Sequence, residues 1–228
     1  MRKLLLLLLF VFTTLSGKTE LKEGKYSWFS GWSEAYLTIT KEKGNRYHVK
    51  GDCYYGVSRK YGPNMGNLDF IATLKNSKIV HKEKLLDDEE EYVFTLTVNK
   101  DGSLDIDETG VSPFGHNASF YGHFTSADLP SFPCKKASSF VEHAICDNVK
   151  IARLDRSMAQ NYARYKSAFF FHKNKEALTT ELKREQRTWI KSRNACERKK
   201  NYESCLVASY EKRIEKLENR FEVFWEYK

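Results

Sequence analysis

The chain has 228 residues, of which 41% are hydrophobic and 30% charged, and its formal net charge is +8. This length is enough for one large domain or two ordinary ones, and the composition excludes a collagen-like, low-complexity or disordered chain. A basic chain often binds nucleic acid. However, the N-terminal sequence predicts an exported protein, for which nucleic acid is a poor partner. An anionic envelope polymer or an acidic protein cleft is favoured instead.

Residues 1–17 predict a secretory signal peptide. Arg2 and Lys3 form a positive start, residues 4–12 form a short apolar run, and small or hydroxyl residues follow. The run is shorter than the roughly 20 residues that span a bilayer. The first cysteine, Cys53, lies far beyond the expected cleavage point, which disfavours a lipoprotein anchor. We therefore expect a periplasmic or secreted protein that is not transmembrane after signal cleavage.

Residues 18–128 predict an antiparallel β domain. Polar and apolar residues alternate in seven segments, at residues 35–40, 46–50, 67–74, 78–82, 91–98, 103–107 and 118–124. Glycine-containing turns separate several of them, and the turn from Asn99 to Gly102 is the strongest hairpin signal. About seven or eight short strands at regular spacing favour a meander that closes as a small barrel or sandwich. Most of the aromatic residues in this half are expected in the core, and an aromatic-lined pocket for a glycan or lipid is the alternative.

Residues 129–228 predict a helical domain. Pro130 and Pro133 mark the boundary, and no proline or glycine occurs from residue 134 to the end. Apolar residues then recur at helical spacing in four segments. Ser138 or Ser139 can cap the first helix, and Asp147 or Asn148 can cap the second. Amphipathic helices with short connections predict an antiparallel bundle, so the expected fold class is α+β with two domains.

Four of the five cysteines lie in the helical half, as the close pairs Cys134 with Cys146 and Cys196 with Cys205. Export makes disulfides plausible. Four cysteines allow three connectivities, and pairing within each close pair is favoured. Cys53 is left over, either as a buried free thiol or as an intermolecular partner.

The two halves differ in charge. Residues 131–228 contain 22 Lys and Arg against 13 Asp and Glu, a net charge of +9, whereas residues 18–128 contain 14 against 17, a net charge of −3. Within the second half, Arg198, Lys199 and Lys200 lie between two cysteines that can pair. Residues 87–91 form an acidic run in the first half, which is typical of a solvated turn.

One helical stripe, in residues 181–205, contains polar residues where a plain core stripe would be apolar. Leu182, Gln186, Trp189, Arg193 and Cys196 follow each other at steps of four and three, so they share one face. Gln186 and Arg193 therefore need partners on neighbouring helices, or they belong to a binding site.

The sequence contains no convincing catalytic set. Its six histidines are scattered, and zinc-protease, nucleophile-elbow and phosphate-loop motifs are not present. His116 and His123 flank the last predicted strand without a companion spacing that would support a metal site. We therefore expect no catalytic residues, metal or cofactor, although the numerous carboxylates leave a glycosidase pair open.

Several short pieces of the helical half occur together in a fixed order. They are Pro133-Cys134, residues 141–147, residues 151–156, Asn161-Tyr162, residues 185–196, Cys205-Leu206 and residues 212–217. In their order and spacing they resemble the LprI-type lysozyme inhibitor family, over about residues 130–217. The resemblance implies a small exported helical domain with disulfide bonds that is not an enzyme. It also implies that the domain inhibits lysozyme and so protects peptidoglycan.

The expected function is therefore binding and blocking of a peptidoglycan-cleaving muramidase, with lysozyme or a lytic transglycosylase as partner. Such enzymes have a cleft with catalytic carboxylates, and a rigid cationic loop could fill it. The candidate binding residues are Arg198, Lys199, Lys200 and Tyr202 in the loop, with Gln186, Arg187, Trp189 and Arg193 on the preceding helix. The alternative is a non-catalytic envelope module that binds a glycan, a lipid or an anionic cell-wall polymer.

Overall fold

The computed structural model describes residues 20–60, 62–84 and 91–226, and within them strands precede helices. The strands are β1 (Gly24–Phe29), β2 (Ser33–Lys41), β3 (Arg46–Tyr55), β4 (Asn64–Thr73), β5 (Lys78–Lys84), β6 (Glu91–Val98), β7 (Leu104–Thr109) and β8 (Gly122–Ser126). The helices are α1 (Phe140–Asp147), α2 (Val149–Ala168), α3 (Lys175–Asn194) and α4 (Tyr202–Glu226), with short 3-10 helices at Cys134–Lys136 and Ala195–Arg198. The predicted signal peptide and residues 87–90 of the acidic run lie outside the described residues.

The strands form one antiparallel sheet in the order β4-β3-β2-β1-β8-β7-β6-β5. The sheet curves until its two outer strands meet, where the rings of Phe70 on β4 and His81 on β5 stack at 4.0 Å. It is therefore a nearly closed, barrel-like sheet. Together with the helices that follow, this confirms the α+β fold class expected from the sequence.

Period-two alternation explains which side chains fill the sheet. Ala35, Leu37 and Ile39 on β2 point to the same side and are buried. They pack with large rings from other strands and from the segment before β8, including Phe94 and Phe120. Aromatic and branched side chains thus form this core. Cys53 is buried in the same core as a free cysteine.

Two strand assignments need correction. The alternating segments did not include β1, although β1 pairs with both β2 and β8. The last strand begins at Gly122 instead of residue 118. Its predicted first half is a loop because the Glu108 carboxylate accepts hydrogen bonds from the backbone N–H groups of Phe120 and Tyr121, at 2.9 and 3.1 Å, and from the Ser119 hydroxyl. These bonds replace the ladder of a strand.

The first two helices begin where the sequence offers caps. Ser139 caps α1 in a capping box with Glu142, and Asn148 caps α2 by accepting from Lys150 and Ile151. Leu206, Tyr210 and Leu217 of α4 are buried with the inner faces of α2 and α3. None of the described helices combines the length and the apolar character that a membrane span requires.

Disulfides link Cys134 with Cys146 and Cys196 with Cys205. Each bond joins cysteines that are close in sequence, which is the pairing favoured in the sequence analysis. The first bond ties the segment before α1 to the end of α1. The second closes the connection between α3 and α4.

The helix α2 packs against β1 and β2 through buried polar side chains. The Arg164 guanidinium donates two hydrogen bonds of 2.9 Å to the Glu34 carboxylate, which is 2% exposed. Arg156 donates to the Ser27 and Thr125 hydroxyls and to the Leu129 carbonyl. The two halves of the chain are therefore joined by specific contacts as well as by the segment between them.

Candidate functional site

The connection between α3 and α4 presents the predicted cationic loop to solvent. Arg198, Lys199 and Lys200 are all exposed, and the Cys196–Cys205 disulfide closes the loop at its base. Arg198 ends a short 3-10 helix and Lys199 is extended, so the backbone leaves the helical path at this point. The result is a short segment with three exposed positive charges and covalently fixed ends.

Tyr202, the fourth predicted loop residue, is used differently. It begins α4, and its ring is half-buried against Phe140 of α1, with the ring centroids 5.0 Å apart. The Tyr202 ring therefore packs against α1 at the base of the loop, whereas the side chains of Arg198, Lys199 and Lys200 are exposed to solvent. The Tyr202 hydroxyl donates to the adjacent Glu203 carboxylate at 3.4 Å.

Gln186 has its hydrogen-bonding groups occupied within the bundle. Its carbonyl oxygen accepts two bonds from the Arg213 guanidinium of α4, at 3.0 and 2.8 Å, and its amide donates to the Met158 sulfur of α2 at 3.1 Å. Arg213 is also 3.7 Å from the Glu185 carboxylate. Burial opposes ionisation of Glu185, but Arg220, Lys216 and Arg213 outweigh it and lower the pKa of that carboxyl group.

Arg193 is part of a second buried polar cluster, centred on Asp155 of α2. The Arg193 guanidinium donates to the Tyr210 hydroxyl at 2.9 Å, and that hydroxyl donates to the Asp155 carboxylate at 2.8 Å. The other carboxylate oxygen accepts from the backbone N–H and the hydroxyl of Ser131, at 2.8 and 2.6 Å. Burial, reinforced by the adjacent Asp155 charge, raises the pKa of Tyr210 and keeps its hydroxyl protonated as a donor.

Trp189 lies between these two clusters. Its indole N–H donates to the carbonyl and the hydroxyl of Ser209, at 3.2 and 3.1 Å, and the Arg193 guanidinium lies 5.3 Å from its ring centroid. Gln186, Trp189 and Arg193 thus find their partners on neighbouring helices, which is one of the two possibilities that the stripe left open. Arg187 points outward and is exposed.

A groove of about 640 Å³ runs between α3 and α4, starting at the Cys196–Cys205 disulfide. Its lining residues are Arg184, Glu185, Thr188, Trp189, Ser192, Cys196, Cys205, Ala208, Ser209, Lys212, Arg213 and Lys216. Arg184, Lys212 and Lys216 are exposed on its walls. We call this feature the α3/α4 groove. It continues the positive surface of the loop along the two helices, so the loop and the groove form one cationic face.

The sequence analysis did not identify Arg184, Lys212 and Lys216 as site residues. The signal was present on each helix alone, because Arg184, Thr188 and Ser192 are four residues apart, as are Lys212 and Lys216. Only the packing of α3 against α4 shows that the two rows face one groove. Within the described ranges, no group of three His, Cys, Asp or Glu residues is arranged to hold a metal ion.

Comparison with known proteins finds a family match within the helical half. Residues 134–217 match the family model described as Lysozyme inhibitor LprI. Neither a curated protein nor a solved structure matches the chain. The match begins at Cys134 and contains both disulfides, the α3/α4 groove and the Asp155, Arg193 and Tyr210 side chains, whereas Ser131 lies just before it. The resemblance found in the sequence is therefore confirmed over residues 134–217, which are similar to the LprI lysozyme inhibitor family, while the N-terminal sheet lies outside the matched residues.

Proposed function

We propose that this protein is exported, binds a peptidoglycan-cleaving muramidase and blocks its cleft, and so protects the cell envelope. The observation that carries the proposal is the exposed loop with Arg198, Lys199 and Lys200, closed by a disulfide within the region that matches a lysozyme inhibitor family. The two disulfides fit an oxidising compartment outside the cytoplasm.

The chemistry of the target explains the type of contact. A muramidase positions one or two carboxyl groups on either side of the scissile glycosidic bond. Cations from the loop can pair with these carboxylates in a cleft from which the inhibitor excludes water, where such pairs are stronger than on an open surface. Because the disulfide and the flanking helices already fix the loop, little conformational freedom is lost on binding.

The charge distribution restricts the target. Residues 131–228 have a net charge of +9, which repels a strongly basic enzyme at long range. A target of this face is therefore a muramidase that is not strongly basic. The alternative contact is the acidic run 87–91 of the N-terminal half, which would face a basic enzyme with the opposite sign.

The experiment is inhibition of several muramidases, including a lytic transglycosylase, by the purified exported protein. The test variant replaces Arg198, Lys199 and Lys200 by alanine. Its control replaces Lys22, Lys25 and Lys78, three exposed lysines of the N-terminal half, and so removes the same charge. We expect the loop variant to inhibit about tenfold less potently or worse, and the control to stay close to wild type. Equal inhibition by the two variants excludes the loop, and no inhibition at micromolar concentration excludes the function.

A second candidate function is favoured by the α3/α4 groove. Arg184 and Lys212, which lie on its opposite walls, have no acidic partner among the residues that the structure describes. Such a groove suits an anionic cell-wall polymer, to which the protein would bind without catalysis. The measurement is salt-sensitive pelleting with cell-wall fractions, compared between wild type and a variant with Arg184 and Lys212 replaced by glutamine. No pelleting at low ionic strength excludes this candidate.

A further inference from the structure

Two exposed phenylalanines and a half-buried tryptophan form an aromatic cluster at the end of α2. Phe170 and Phe171 are 62% and 80% exposed, and Trp32, from the turn between β1 and β2, lies within ring-stacking distance of both. The centroid of the Trp32 ring is 6.2 Å from that of Phe170 and 6.0 Å from that of Phe171. We call these three residues the aromatic cluster.

The fold holds the cluster toward solvent. The preceding residue, Phe169, is buried against Tyr165 and Phe224, so the chain turns at the end of α2 with its next two rings outward. The turn that carries Trp32 is also held against α2, because the buried Ser58 hydroxyl lies 2.5 Å from the Gly31 carbonyl oxygen and 2.9 Å from the Arg164 carbonyl oxygen. A Cβ on Gly31 would lie 2.6 Å from the Ala163 carbonyl oxygen, so glycine permits this close approach to α2.

Lysines lie beside the cluster on its Phe170 side. A groove of about 570 Å³ brings Phe170 together with Lys166, Lys175 and Lys183, all exposed, and Glu176 is the acid among its lining residues. Lys173 follows Phe171 by two residues and is also exposed. A contiguous patch of large exposed apolar groups marks an interaction surface. Apolar rings among lysines are typical of proteins that rest on an anionic bilayer, where the rings enter the headgroup region and the ammonium groups meet phosphates.

We propose that the aromatic cluster and its lysines dock the protein onto the surface of an anionic phospholipid membrane. The rings of Phe170 and Phe171 are nearly perpendicular, at 89°, so they offer no flat platform on which a sugar ring could stack. Phenylalanine also has no hydrogen-bonding group for sugar hydroxyls. A second copy of this chain would bring like charges together. A lipid surface matches both the apolar rings and the positive rim.

The test is cosedimentation with vesicles, one set containing about one third phosphatidylglycerol in phosphatidylcholine and one set of phosphatidylcholine alone. We expect binding to the anionic vesicles that weakens as salt is raised, because the Debye length is only about 3 Å at 1 M ionic strength. Burying one phenylalanine side chain is enough to change a partition coefficient by about tenfold. The F171S variant should therefore partition about tenfold more weakly, and F170S/F171S more weakly still.

The variants are chosen so that loss of folding is distinguishable from loss of binding. Phe171 is mostly exposed, so F171S should keep the wild-type unfolding midpoint. The control M65S/Y121S replaces two residues of the N-terminal half, also exposed by about 60%, and should bind vesicles as wild type does. The proposal is overturned if anionic vesicles do not bind, if F170S/F171S binds them as well as the control does, or if F171S weakens muramidase inhibition and leaves vesicle binding intact. Muramidase inhibition by F170S/F171S at wild-type potency, with vesicle binding lost, separates this surface from the inhibitory loop.

Discussion

Replacing Asp155 by asparagine is expected to lower stability strongly without touching the exposed cationic face. The Asp155 carboxylate is 2% exposed, accepts three hydrogen bonds and lies 4.0 Å from the Arg193 guanidinium. The D155N change removes the negative charge and turns one acceptor into a donor, which leaves a buried guanidinium without a counter-charge. Removing one partner of such a buried pair costs about 3–5 kcal/mol. For a protein of this size, about 3 kcal/mol corresponds to a midpoint that is lower by about 6–12 °C.

The assay is urea and thermal unfolding with the disulfides intact, followed by far-UV circular dichroism. D128N is the matched control, because Asp128 pairs with Arg153 at 2.7 Å while both side chains are more than half exposed. We expect a change below about 1 kcal/mol there. If D155N and D128N unfold alike, the Asp155 cluster does not hold the bundle, and a role in binding becomes the better explanation for these motif residues.

Three further outcomes are expected. The backbone N–H groups of Ser138 and Ser139 lower the pKa of Glu142 from 4.5 to about 2, so its stabilising effect is present above pH 4.5 and is lost as the pH falls through about 2; acid titration of E142Q should lack this loss. Burial raises the pKa of the Cys53 thiol to about 12, and mass spectrometry should find it unmodified by iodoacetamide at pH 8 until the protein unfolds. Replacing Cys196 and Cys205 by serine should lower the free energy of unfolding by about 2–3 kcal/mol, measured in urea.

The stripe on α3 shows how far sequence reasoning reaches. Spacing alone placed Gln186 and Arg193 on the same face as Trp189, and desolvation alone required partners for them. The sequence could not identify those partners, which are Arg213 and Tyr210 on α4 and Asp155 on α2. They meet Gln186 and Arg193 only when the three helices pack together. Two helical patterns can each be correct and still leave their relative rotation open.

The sheet shows a different limit. Alternation predicted most of the strands, and the turn from Asn99 to Gly102 forms with Gly102 at φ +84°, as a hairpin turn requires. The segment before β8 also alternates, yet it is a loop, because Glu108 on β7 offers its carboxylate to the backbone there. The alternating pattern indicates only a local preference for a strand. Here hydrogen bonds to the Glu108 side chain, which is distant in sequence, stabilise a loop instead.

The packing of α2 on the sheet bears on how the two halves work together. The division at residues 128 and 129 stays a prediction, but Glu34 is a buried carboxylate whose counter-charge, Arg164, comes from the other half. Neither half alone would satisfy these charges, and leaving a buried charge unpaired is costly. The aromatic cluster has the same dependence, since Trp32 comes from the sheet and Phe170 and Phe171 from the end of α2. The sheet, which the family model does not cover, therefore helps to build a surface that the helical region could not form by itself.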